Sequence, residues 1–143
     1  MNRINRYSYS QISLGQKESF STTVTDAMML AFFNLTGDCN PLHMDETFAK
    51  HTSAGYTGKV AFGMLTASFL STLAGVYLPG EKSVIHEVEV KFPTPVYVGD
   101  ALIFQGEVIG KNDTFNIIEL KVSAINSDGK KVLRGKMKVG VAE

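Results

Sequence analysis

Apolar residues recur along this chain with a helical spacing in its first half and a strict alternation in its second. From Ser8 to Thr23 the chain is polar with scattered apolar positions. That predicts an N-terminal strand or extended arm, broken by a turn at Gly15. Thr25 and Asp26 then offer an N-cap to Ala27, Met28, Met29, Leu30, Ala31, Phe32 and Phe33, a short helix of good formers with a strong start signal. Gly37, Asp38, Asn40 and Pro41 end it in turn chemistry. Asp45 can cap a second short helix reaching Lys50, and Gly55 and Gly58 mark the loop after it.

From Gly63 to Tyr77 the pattern predicts a helix built from Met64, Leu65, Ala67, Phe69, Leu70, Leu73, Ala74 and Val76 with Thr and Ser between them, and no charged residue at all. A helix that is apolar or small all round is expected to be buried all round, so something must wrap it. The alternating segments supply the wrapping. Val84, His86, Val88, Val90 and Phe92 fall on one face of a strand, with Ile85, Glu87, Glu89 and Lys91 on the other. The Gly99-Asp100 turn leads to a strand with Leu102, Phe104 and Val108 on one face. Phe115 to Ile125 predicts a third strand, apolar on both faces near its centre. In the last, Leu133, Met137, Val139 and Val141 oppose Val132, Arg134, Lys136 and Lys138. Asn126-Ser127-Asp128-Gly129 joins the last two as a hairpin turn. The expected class is α+β, with a curved antiparallel sheet around one helix.

Composition narrows the function classes. The 143 residues fit one domain, 44% are hydrophobic and 20% charged, and a chain of this size buries roughly 70% of its unfolded surface. Fourteen basic residues balance fourteen acidic ones, which leaves no field to gather nucleic acid or an anionic membrane. The single Cys39 makes no intrachain disulfide and no cysteine-based metal site. Neither a secretory signal nor a run of the ~20 apolar residues that span a bilayer is present in the pattern, so a cytoplasmic location is expected.

The chemistry concentrates in Leu35-Thr36-Gly37-Asp38-Cys39-Asn40-Pro41-Leu42-His43. An acid and an imidazole stand five positions apart in a segment that Gly37 and Pro41 make conformationally specific. Such a pair suits acid–base catalysis on one water or substrate, with Asn40 bracing the loop or holding the water. The plainer alternative is an Asx-type turn with a solvated histidine. This stretch resembles the signature of the MaoC-like family of R-specific enoyl-CoA hydratases and 3-hydroxyacyl-thioester dehydratases. Phe33, Thr36, Gly37, Asp38, Asn40, Pro41, Leu42, His43 and Ala49 fill that pattern. Gly63-Met64-Leu65 and the segment from Phe92-Pro93 through Pro95-Val96 to Gly99-Asp100 are similar to further landmarks of the family.

The resemblance implies a hot-dog fold, usually paired into a homodimer, and reversible hydration of trans-2-enoyl thioesters carried by CoA or acyl carrier protein. It implies Asp38 and His43 as the groups that hold and activate water, and the amide of Gly63 as a donor to the thioester carbonyl. Ser71 falls where some members have an active-site serine, although a packing role for a small residue explains it as well. Together Gly63, Asn40 and Ser71 are the expected substrate-binding residues. The reaction needs neither a metal nor a redox cofactor. One departure is Phe62, where many members have histidine, and this bears on the shape of the pocket.

Other residues take plainer roles. Cys39 is expected as a small buried filler, and Met28 and Met29 as core or interface. His51 and His86 lack a close ligand spacing to His43, and His86 is expected as a hydrogen-bonded core histidine. Arg134, Lys136 and Lys138 can meet the phosphates of CoA, but a solvated sheet face explains them more simply. Two rivals remain: a hot-dog thioesterase, disfavoured because Gly63–Tyr77 contains no acid, and a non-catalytic acyl-CoA-binding module.

Overall fold

The computed structural model describes residues 3–143. Strand β1 (Lys17–Thr23) is followed by helices α1 (Asp26–Thr36), α2 (Pro41–Met44), α3 (Glu46–Lys50) and α4 (Gly63–Thr72), then strands β2 (Ser83–Lys91), β3 (Ala101–Asn112), β4 (Ile117–Ile125) and β5 (Lys131–Val141). The five strands form one antiparallel sheet in the order β1-β3-β4-β5-β2. The long link through Phe92–Asp100 therefore carries the chain from one edge of the sheet to a position beside the other. Among the described residues no helix is long and apolar enough to cross a membrane.

Local chemistry explains the boundaries. Thr25 caps α1 by accepting from the Met28 amide at 3.2 Å, and Gly37, at φ 72°, closes it in the left-handed region that favours glycine. Asp45 caps α3 through Phe48 N at 3.0 Å. In the β4–β5 hairpin, Asn126 Oδ1 accepts from the amides of both Asp128 and Lys130. Ahead of β1 the arm is not extended throughout: Tyr9–Gln11 forms a 3-10 turn, with Tyr9 and Ile12 buried.

The alternation expected for β3 holds, since Leu102, Phe104 and Val108 are all buried. They share one core with Leu70, Leu73 and Ala74 of the central helix and with Leu133, Met137 and Val139 of β5. Gly106 lets the helix settle on the sheet, because a Cβ there would meet Leu73 Cδ2 at 3.2 Å. Helix α4 continues through one π-type turn, Leu73–Tyr77, where Tyr77 stacks on Phe20 and Phe20 on Phe104. A helix cradled in a curved five-stranded antiparallel sheet is the hot-dog arrangement that the family resemblance implies.

Four expectations need correction. In β2 the pairing runs to Ile85↔Val139 and resumes at Glu87↔Lys138, so His86 is the extra residue of a bulge. The bulge turns the first half of the strand over, placing Ile85 rather than Val84 and His86 on the face of Val88 and Val90. His86 is exposed, lying against Gly140 on the outer face, and is no core histidine. A second bulge frees Val132 from the outer face: Ala124 pairs with Leu133 and Ile125 with Lys131, and Val132 is fully buried. Cys39 is exposed rather than a buried filler. Finally, α4 is not enclosed on all sides by its own chain, for Met64 is 64% exposed and Ser68 and Ser71 are also exposed.

Candidate active site

The Asp38–His43 segment folds as a turn leading into a single helical turn, α2. Asp38 Oδ1 accepts from Asn40 N at 3.1 Å, an Asx turn, while Asn40 Oδ1 accepts from Leu42 N at 3.0 Å and caps α2. Pro41 sits at the first helical position, where its missing N–H costs nothing. The caps direct the two ends of the motif differently. Asp38 and His43 both line a chamber of about 800 Å³, and Asn40 is not part of its lining. Its side chain braces the loop, the first of the two roles expected for it.

His43 is held from behind. Its Nδ1 lies 2.6 Å from the Val60 carbonyl oxygen. A carbonyl can only accept, so Nδ1 carries the proton and Nε2 of the neutral ring presents a lone pair. The imidazole also lies against Phe62, with ring centroids 4.3 Å apart, and Phe62 in turn packs on Phe32 at 4.8 Å. Phe62 is 1% exposed. Where many family members have histidine, this chain therefore has a buried apolar wall that fixes the plane of the His43 ring. Asp38 is exposed in the single chain. Its carboxylate, with one bond to Asn40 N, keeps acceptor capacity for a water.

Gly63 and Ser71 line the same chamber, so four of the five expected site residues converge. Gly63 is the first residue of α4, where the amide has no partner within the helix and the helix dipole is positive. A Cβ there would reach the Phe92 ring only at an ordinary 3.7 Å, so glycine is not required by packing. Beyond these residues, Ile85, Val88 and Phe92 complete an apolar wall facing the helix. Alternation alone missed Ile85, because the bulge at His86 has no signature in the period. The signature aromatic is divided as well: Phe33 packs against the core, and Phe32 lines the chamber. The Val60 carbonyl had no sequence signal, being a backbone atom.

A hot-dog fold with an acid, an imidazole and a helix N-terminus around one apolar chamber defines a class of acyl-thioester proteins. Residues 10–129 match the MaoC like domain family, and the chain belongs to it. The (R)-specific enoyl-CoA hydratase of Aeromonas caviae is 33% identical over 128 residues, covering 90% of this chain and 94% of that protein. The enzyme of the same name from Rhodospirillum rubrum is 29% identical over 133 residues, covering 93% and 90%. Among solved structures, the R-hydratase from Pseudomonas aeruginosa in its unliganded form superposes with a TM-score of 0.89 at 26% identity, covering 98% of this chain and 88% of that one.

Proposed function

We propose that this chain, as a single MaoC-like domain, catalyses reversible hydration of trans-2-enoyl thioesters to R-3-hydroxyacyl thioesters, with CoA or acyl carrier protein as the carrier. The observation that carries the reading is the convergence of Asp38, His43 and the amide end of α4 on one chamber whose other walls are apolar. The acyl chain lies along those walls. The thioester carbonyl accepts from the Gly63 amide, which stabilises the negative charge that develops on that oxygen. His43 Nε2 accepts a hydrogen bond from a water and orients it. Asp38 takes the other proton as the water oxygen bonds to C3, and the π pair moves onto the carbonyl oxygen. The enolate then collapses and Asp38 returns the proton to C2, so one water is added across the double bond. Among the described residues Asp38 is the sole carboxylate lining the chamber. This favours hydration over thioester hydrolysis driven by an acid on the central helix.

The chamber is open where the inner face of β2 meets solvent, with Ile85 40%, Val88 45% and Phe92 44% exposed. β2 is also an edge strand. Pairing of two copies through this edge covers the apolar face and the unpaired backbone together, so the working form is a homodimer or a higher homo-oligomer. Crotonyl-CoA tests the chemistry: the conjugated thioester absorbance is expected to fall without release of free thiol. Thiol release would give the site to a thioesterase, and no reaction would leave an acyl-CoA-binding module. Light scattering tests the assembly, and a fully active monomer at micromolar concentration would overturn it.

A further inference from the structure

Thr66 is the one buried polar side chain among the described residues, 1% exposed, and its hydroxyl has no hydrogen-bond partner within the chain. A helical threonine usually turns its hydroxyl to the carbonyl one turn back. Here that carbonyl, Phe62 O, takes the Thr66 amide at 3.2 Å, and the hydroxyl finds no partner there or elsewhere in the chain. Buried hydroxyls are seldom left without a partner, and ordered water is the common one. Thr66 lines a second cavity of about 350 Å³, together with Tyr56, Val60 and Thr94. His43 and Gly63 line both this cavity and the large chamber. The reacting centre therefore has an apolar space on one side and a smaller space with hydroxyl groups on the other. The cavity exceeds the roughly 10–15 Å³ of probe volume that a water needs, and Tyr56, Thr66 and Thr94 among its lining residues carry hydroxyls.

Hydration consumes a water in every turnover, and an acyl chain filling the apolar chamber closes that route. We propose that the Thr66 cavity is the water supply of the reaction: Thr66 Oγ1 holds an ordered water that passes to His43 from the side away from the acyl chain. This rests on the hydratase reading. Thr66 is a positioning residue and does not touch the substrate.

Thr66→Val keeps the shape and removes the hydroxyl. Turnover of crotonyl-CoA is expected to fall about three- to tenfold, the effect of losing one hydrogen bond, with KM unchanged and recovery in Thr66→Ser. A crystal structure of the wild type should show a water bonded to Thr66 Oγ1 that Thr66→Val lacks. Unchanged turnover with a higher Tm in Thr66→Val would overturn the proposal, because the hydroxyl would then be merely unsatisfied. A raised KM at unchanged turnover would also overturn it, giving the cavity to the pantetheine arm of the substrate. So would an active enzyme whose crystals hold no water at Thr66. If the wild type were inert on crotonyl-CoA, the hydratase reading would fail and the supply role with it, whereas an active wild type with no water at Thr66 would fail the supply role alone.

Discussion

The two faces of α4 are made from the same kinds of residue and meet opposite fates. Leu65, Leu70, Leu73 and Ala74 are buried in the fold, Leu70 also reaching the chamber, while Met64, Ser68 and Ser71 stand open and line it with Ala67. Neither face carries a charge, so composition alone does not distinguish them. What separates them is the opposing surface. One face meets the close-packed side chains of the sheet interior; the other looks across the chamber to Ile85, Val88 and Phe92. An uncharged helix thus does not by itself report which of its sides is packed. Only the packed side contributes to stability in the single chain, and the open side is the one that the proposed function assigns to substrate.

If this division is right, changes on the two sides should alter different quantities. The largest effect is expected at the Asp38–His43 loop, to which the proposed function gives the proton transfer. Asp38→Asn keeps size and hydrogen-bonding shape but cannot take a proton, so turnover of crotonyl-CoA should fall by a factor of ~100 to ~10,000. His43→Gln should lose a comparable factor. The double variant should be little worse than the poorer single one, since both groups act on one water. Circular dichroism should show all three folded, for neither side chain belongs to the buried core. A well-folded Asp38→Asn with near-normal turnover would return this loop to a structural Asx turn.

The buried face should behave in the opposite way. Leu73 is fully buried and touches the position where Gly106 lacks a Cβ. Leu73→Ala should cost about 2–5 kcal/mol of stability by removing buried methyl groups and leaving a cavity. Denaturant unfolding measures this, and a loss below about 1 kcal/mol would mean that the helix does not depend on this contact.

Gly63 lies at the end of α4 where the two faces meet the reacting centre. A Cβ added there would meet the Phe92 ring at an ordinary 3.7 Å, so Gly63→Val should fold. Its branched side chain should hold the thioester carbonyl away from the amide and lower kcat/KM by roughly 100- to 1,000-fold, on the scale of one lost oxyanion donor. Unchanged kinetics would remove Gly63 from the site.

The division between the faces also marks what was legible in the sequence. The strands of the interior were, because alternation over Leu102, Phe104 and Val108 follows directly from a sheet with one packed face. The family pattern offered Asp38, His43, Gly63 and Ser71 as candidates, and all four line one chamber. Three features were not. The bulge at His86 adds a residue without disturbing composition, so every side chain before it was assigned to the wrong face. Open and closed sides of α4 differ only in long-range partners, and no local pattern encodes those. The Phe62 substitution was visible, yet its consequence, a ring packed on His43, depends on the loop that returns Val60 and Phe62 to α2.

The smallest effect tests the division within the open face itself, where two serines one turn apart differ in what their hydroxyls do. Ser68 Oγ donates to the Leu65 carbonyl oxygen at 2.6 Å, a bond internal to the helix. Ser71 also lines the chamber, further along the helix from Gly63. If Ser71 bonds the substrate, Ser71→Ala should lower kcat/KM by about two- to twelvefold, the range of a neutral hydrogen bond worth ~0.5–1.5 kcal/mol. Ser68→Ala should leave kcat/KM within about twofold, because its hydroxyl is already committed to the backbone. Both variants should melt close to the wild type, as exposed helical positions where alanine is the better helix former. Equal kinetics for the two alanine variants would show that Ser71 is present only because a small residue fits. A loss of stability in Ser71→Ala without a kinetic change would place it with the packed face instead.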